Sequence, residues 1–186
     1  MEGEISRLEE LKLLNIESFV ETVRREIAHL WQSCFISLEE RASFTPYHAR
    51  AENLTGEVLD LHDALANSLR AFYNQNREVF ARVGQRERMW QRMQEIEARS
   101  RDPSRLFGNR GCSLLQDEKE LKLATKELPR IESDLVFLLD EYEAEHGTVL
   151  LIDGHDYRRM MANQWKMLKE EKENERYGRV GALQLG

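Results

Sequence analysis

Apolar residues recur three and four positions apart along most of this chain, the spacing of helices that each bury one stripe. Over 2–43 the stripe is Ile16, Val20, Val23, Ile27, Leu30, Cys34 and Leu38. That seam predicts one long helix, ended by Phe44-Thr45-Pro46, where the proline suits the opening of a short turn. Over 53–99 one seven-residue register holds Val58, Leu65, Phe72, Val79 and Met93, with Leu54, Leu61, Leu69, Val83 and Trp90 beside it. Asn76 and Arg86 are polar gaps in that register. A continuous helix there would be about 70 Å long at ~1.5 Å per residue.

A third helix is predicted over 113–145. Ser113 with Gln116 three residues on reads as a capping box, and Asp117 and Glu118 suit a first turn. Leu114, Leu121, Ala124, Leu128, Ile131, Leu135, Leu138 and Tyr142 carry the seam onward, with Pro129 inside it as a kink. The run Thr148 to Asp153 (TVLLID) lies between Gly147 and Gly154. With no second strand evident, it reads as a buried turn. A last helix is predicted over 155–176, with Met161, Trp165 and Leu168 inward, followed by a frayed tail. Trp31, Trp90 and Trp165 fall on seam positions and are read as core, meeting in one set of layers. Long seamed helices joined by short loops predict an all-α fold, an elongated antiparallel three-helix bundle with a short additional C-terminal helix. The expected divisions are 1–43, the end of a rod helix running into the first bundle helix; 44–176, the rest of the bundle; and 177–186, a disordered tail.

Composition agrees with long helices. Only 3 prolines and 10 glycines interrupt 186 residues, and 33% are charged, which argues against a compact α/β enzyme. No apolar run approaches the ~18 residues of a membrane helix. The acidic, amphipathic N-terminus is no signal peptide. It begins in mid-pattern, as the end of a longer helix would. Cys34 and Cys112 suggest no disulfide framework, so a reducing compartment is expected, in which the sequon Asn53-Leu54-Thr55 is a chance match.

Charge is distributed unevenly. The net charge is −7, yet residues 77–130 hold 13 Lys and Arg against 9 Asp and Glu. Arg99, Arg101, Arg105 and Arg110 crowd a glycine-bearing loop opposed by one acid, Asp102. Lys119, Lys122 and Lys126 follow at spacings of three and four, one stripe of the third helix. Charged stripes are commonly only solvated faces. Arginine in a loop is different, because its planar fork suits carboxylate or phosphate.

Catalytic and metal chemistry find no constellation. His29, His48, His62, His146 and His155 show no metal spacing, and no cofactor is expected. His155 and Asp156 beside Asp153 read as a helix N-terminus with capping acids, and His62-Asp63 as a structural contact. Cys112 at a helix start has no histidine base. Gly108-Asn109-Arg110-Gly111 lacks the Lys-Ser/Thr of a phosphate-binding loop.

Asp102-Pro103, Arg105-Leu106, Asn109-Arg110-Gly111, Leu114-Leu115 and Glu118-Lys119 together resemble the signature of a spectrin-like microtubule-binding domain. That domain belongs to the protein-regulator-of-cytokinesis family of antiparallel microtubule crosslinkers. Leu30-Trp31 with Cys34, Leu61-His62-Asp63, Leu128-Pro129 and Gln164-Trp165 extend the likeness over most of 16–176. Cys112 stands where the family often has glycine, and Gln116 where it often has lysine. The resemblance implies a non-enzymatic domain that docks on acidic tubulin in the cytoplasm, at the spindle midzone. Its contacts would be Arg99, Arg101, Arg105, Arg110, Lys119, Lys122 and Lys126. It further implies homodimerisation through an N-terminal rod that lies outside this sequence. A spectrin-type spacer without filament contact is the alternative. An anionic membrane surface lacks a basic curved face here, and nucleic acid is disfavoured by the net charge and the absence of interleaved aromatics.

Overall fold

The computed structural model describes residues 2–101 and 111–184, with side chains for 15–101 and 114–177. The helices are α1 (Glu2–Ser33), α2 (Leu38–Ser43), α3 (Gly56–Gln75), α4 (Arg77–Ser100), α5 (Gly111–His146) and α6 (Tyr157–Gln184). Two 3₁₀ turns, Thr45–His48 and Ala51–Asn53, and a ribbon of β1 (Leu151–Ile152) with β2 (His155–Asp156) complete the described elements. The all-α class holds. The residues fall in two compact units: Met1–Gly84 with Ile152–Gly154, and Gln85–Leu151 with His155–Gly186.

In the first unit, α1 packs on α3 through Ile27, Leu30, Trp31, Ala66 and Leu69. The expected helix over 2–43 ends at Ser33 instead. Phe35 adopts a left-handed φ of 53°, while the Phe35 and Ile36 amides donate to Gln32 O and Trp31 O at 3.2 and 2.9 Å. This reciprocal pair closes the helix although no glycine is present. Leu38, on the predicted seam, is therefore 76% exposed. A new helix starts from a true capping box: Ser37 Oγ accepts from the Glu40 amide, and Glu40 Oε2 accepts from the Ser37 amide.

The segment 34–55 then runs back along α1. Trp31 meets the Tyr47 ring at 4.7 Å, and Arg24 donates to Ala49 O at 2.8 Å. Thr55 caps α3 by accepting from the Val58 amide. Consequently α3 runs parallel to α1: Arg24 lies beside His62, and Cys34 Sγ beside Leu69 O. The predicted antiparallel pairing fails here, because this connection is far longer than the ~2–5 residues of a tight helical hairpin. His62 is fully buried between Phe44 and Tyr47. Its Nε2 accepts from Arg24 Nε at 3.3 Å, which leaves Nδ1 to donate to Val58 O at 2.7 Å. It is the structural contact expected.

The continuous helix expected over 53–99 is broken at Asn76 (φ −108°, ψ 18°). The Asn76 amide and Nδ2 both donate to Phe72 O, at 3.1 and 3.0 Å. A side chain that competes for the backbone acceptor weakens the helical path there. The polar gap in the seam was the visible sign.

The second unit is a three-helix bundle of α4 from Gln85 onward, α5 and α6. Arg86 meets Glu132 and Arg92 meets Glu120, so α4 and α5 are antiparallel. Trp165 meets Glu132 and Arg158 meets Asp140, so α5 and α6 are antiparallel as well. Trp90, Met93, Ala124, Leu128 and Leu168 form the core, bordered by Trp165, whose ring meets Trp90 edge-on at 4.8 Å. Trp31 belongs to the other unit's cluster, so the three tryptophans do not share one set of layers.

Three further expectations change. The C-terminal helix is not short: α6 has 28 residues and includes 177–184, expected as a disordered tail. Gly178 and Gly181 each weaken a helix by about 1 kcal/mol without forbidding it, and no proline intervenes. The buried turn at 148–153 is a hairpin edge. Asp153 and Gly154 take φ of 50° and 76°, the two left-handed positions of a two-residue hairpin turn. Finally, α5 already includes Gly111, so Ser113 lies within the helix and does not cap it. Gln116 Nε2 bonds forward to Glu120 Oε1 at 2.9 Å. Asp156 does cap α6, its Oδ1 accepting from the Arg158 amide at 3.1 Å.

Candidate functional site

Of the seven nominated cations, Arg105 and Arg110 lie outside the described residues. The other five lie on the second unit, at the end of α4 and along the first turns of α5. Three of them are engaged with acids. Arg99 Nη2 reaches Asp117 Oδ1 at 3.2 Å across the α4–α5 seam. Arg101 bonds Glu171 at 2.8 Å and Glu175 at 3.0 Å, both on α6. These bonds raise its guanidinium pKa, chiefly through Glu171. Lys122 Nζ reaches Glu118 at 2.7 Å one turn back, and that hydrogen bond holds Glu118 below the usual carboxylate range.

Lys119 and Lys126 differ. Both are exposed, and neither has an ion pair among the described residues. They stand on the outward side of α5, whose inward stripe is Ala124, Leu128, Ile131 and Leu135. Leu123 lies between them on the same face, 56% exposed. Arg88 of α4 is a further exposed cation without an ion pair among the described residues. The basic excess of 77–130 is thus divided. Part is consumed in holding helices together, and part is presented outward.

Sequence reasoning passed over Arg86 as a gap in the seam. It is the largest fully buried side chain among the described residues. Its Nε and Nη2 donate to Glu132 Oε1 at 3.0 and 2.9 Å, and its Nη1 to Gln164 and, at 3.3 Å, to Glu87. The guanidinium lies 4.4 Å from the Trp90 ring centroid. Trp165 Nε1 donates to Glu132 Oε2 at 2.8 Å, and Tyr157 OH to Glu87 Oε1 at 2.5 Å. Burial, then the Glu87 hydrogen bond, pushes the Tyr157 hydroxyl pKa far up. One cation therefore joins α4, α5 and α6. Its polar neighbours are satisfied, and no buried side-chain N or O atom among the described residues lacks a partner. The available signal was an arginine at a core register position, with Glu132 and Gln164 near seam positions of the other two helices.

This arrangement offers a rigid helical unit, pinned from within, that carries outward cations on α4 and α5.

A model described as "Microtubule associated protein (MAP65/ASE1 family)" matches residues 1–182. The chain is 39% identical over 170 residues to the mouse (Mus musculus) "Protein regulator of cytokinesis 1", covering 91% of this chain and 28% of that protein. It is 37% identical over 170 residues to the human (Homo sapiens) protein of the same name, covering 91% and 27%. The "Anaphase spindle elongation protein 1" of Schizosaccharomyces pombe is 33% identical over 153 residues, covering 81% and 21%. The chain thus spans about a quarter of the length of the curated relatives it matches. With the match running from residue 1 to 182 and the helical bundle in place, the chain belongs to the MAP65/ASE1 family of microtubule associated proteins.

Proposed function

We propose that this chain is the non-motor microtubule-docking part of an antiparallel microtubule crosslinker that acts in the spindle midzone and in cytokinesis. The family and the relatives' names, a regulator of cytokinesis and a spindle elongation protein, support this reading. The observation that carries it is the pair of exposed lysines, Lys119 and Lys126, without an ion pair among the described residues, on the α5 face that follows Arg105 and Arg110 in the chain. The partner is the acidic outer surface of tubulin in the cytoplasm, and dimerisation belongs to a rod beyond this sequence. No catalytic role, nucleic acid or membrane is assigned.

The lysines and the loop arginines, Arg105 and Arg110, are the proposed contacts. Arg99, Arg101 and Lys122 contribute less, because binding would first have to release their acids. An exposed ion pair is worth about 0–1 kcal/mol, and micromolar binding needs about 8 kcal/mol. Several such contacts must therefore act together, some of them desolvated. The spacer reading draws on the same three engaged cations, which stabilise helix packing whether or not a filament is present.

Co-sedimentation with microtubules, with anionic liposomes in parallel, separates the readings. The docking reading predicts pelleting with microtubules and not with liposomes. Binding should weaken several-fold from low to physiological salt, as screening over about 8–10 Å takes hold. Absence of pelleting at low salt would favour the spacer.

A further inference from the structure

Between α4 and α5 the second unit carries a groove of about 310 Å³ lined by Gln85, Arg88, Met89, Arg92, Glu120, Leu123 and Ala124. Its floor is apolar. Met89 and buried Ala124 border the core cluster, and Leu123 stands 56% exposed at one wall. Isolated exposed leucines are ordinary. This one is placed in a concavity whose lining also includes Arg88, a cation with no ion pair among the described residues. Lys119 and Lys126 lie four residues before Leu123 and three after it, on the same side of α5. Arg88 lines the opposite wall.

The acids at this site are already committed. Glu120 accepts from Arg92 Nε at 2.7 Å and from Gln116 Nε2 at 2.9 Å. Glu127 lies 3.6 Å from Arg130. Arg88 in the lining, and Lys119 and Lys126 beside it on α5, thus have no carboxylate partner among the described residues and stand next to an apolar floor.

From this we propose that the α4–α5 groove is a docking site for an acidic peptide segment that inserts one large apolar side chain. The floor takes the anchor, while Arg88, Lys119 and Lys126 take flanking carboxylates. A volume of about 310 Å³ is at the small end of ligand-sized pockets, in the range of about 300–1,000 Å³, and suits a single anchoring side chain. Charge complementarity selects the partner's sign, and the exposed leucine selects against a purely polar polyanion. The site shares Lys119 and Lys126 with the filament-facing stripe, but Arg88, Met89 and Leu123 are its own.

The test uses this chain without microtubules. Fluorescence anisotropy would compare a labelled glutamate-rich peptide bearing one central phenylalanine with two controls. One control has alanine at the centre, and the other has lysines in place of the glutamates. The expected result is binding of the acidic phenylalanine peptide about fivefold or more tighter than either control. Leu123→Ser and Arg88→Ala should each weaken it about fivefold with the melting temperature unchanged, since both side chains are exposed. Equal binding of the alanine control would overturn the anchor. Indifference to both substitutions would overturn the groove. Sedimentation showing a dimer that Leu123→Ser dissolves would make a second copy the occupant and overturn the peptide proposal. Because the assay contains no filament, its failure leaves the microtubule reading to be judged on its own data.

Discussion

Arg86 shows what a single residue can decide. A buried guanidinium is costly to desolvate, and only its full set of partners makes it tolerable. Removing it takes the cation from Glu132 and Glu87, leaving them Trp165 and Tyr157 as donors, and takes a donor from Gln164. Arg86→Met should destabilise the protein by about 3–5 kcal/mol in chemical denaturation. Adding Glu132→Leu should cost less than the sum of the single changes, because the carboxylate left unpaired is gone, although Trp165 then loses its acceptor. Simple additivity would mean that the two side chains do not act as a pair.

Cys34 offers a second residue-scale test. Burial beside Leu69 O pushes its thiol pKa from 9.0 up to about 11. An acid whose folded pKa is raised costs nothing below its unfolded pKa. As pH rises from about 9 to about 11 the unfolded chain ionises first, so stability falls by up to about 1.4 kcal/mol per pH unit from this group. Melts over that window should show the decline, and Cys34→Ala should flatten its slope while lowering the plateau.

At the scale of elements, the helices were legible and their ends were not. The middle of the α5 seam survives as read, with Ala124, Leu128, Ile131 and Leu135 buried, whereas Leu114 is 46% exposed and Leu139 is buried in place of Leu138. Three- and four-residue spacing is imposed by the core along the whole length of a helix, so its signal accumulates. Ends are decided by one or two local bonds. Phe35 takes a left-handed conformation normally given to glycine, and Asn76 breaks a helix through its own amide. Phe35 leaves no trace in hydrophobic periodicity, and Asn76 leaves only a polar gap in the register. The Asp153-Gly154 hairpin did have a signature, an Asp-Gly pair after an apolar run, but its strands are only two residues each. Gly154 has a second constraint, since an added Cβ would lie 3.3 Å from Ser37 Cβ. Gly154→Ala should therefore destabilise by about 1–2 kcal/mol, read as a lowered melting temperature. An unchanged melt would mean that the turn relaxes freely.

At the scale of the whole molecule, charge asymmetry was legible and its use was not. The excess of cations over 77–130 is plain in the sequence. Which of them face outward depends on partners contributed by distant positions. Glu171 and Glu175 engage Arg101 from seventy or more residues away, and no local pattern reveals that pairing. The parallel course of α1 and α3 was equally hidden, because it follows from how the segment 34–55 folds back.

The outward cations that follow Arg105 and Arg110 in the chain are proposed to hold it on microtubules, while the engaged ones hold the fold. The most direct measurement is microtubule co-sedimentation of the Lys119→Ala/Lys126→Ala double variant beside Arg110→Ala and the wild type, with thermal melts of all three. Melting temperatures should be unchanged for the lysine variant and for Arg110→Ala, with microtubule binding weakened about fivefold or more in each, on the order of 1 kcal/mol. Wild-type binding by both folded variants would contradict this proposal, and would leave the spacer reading in its place.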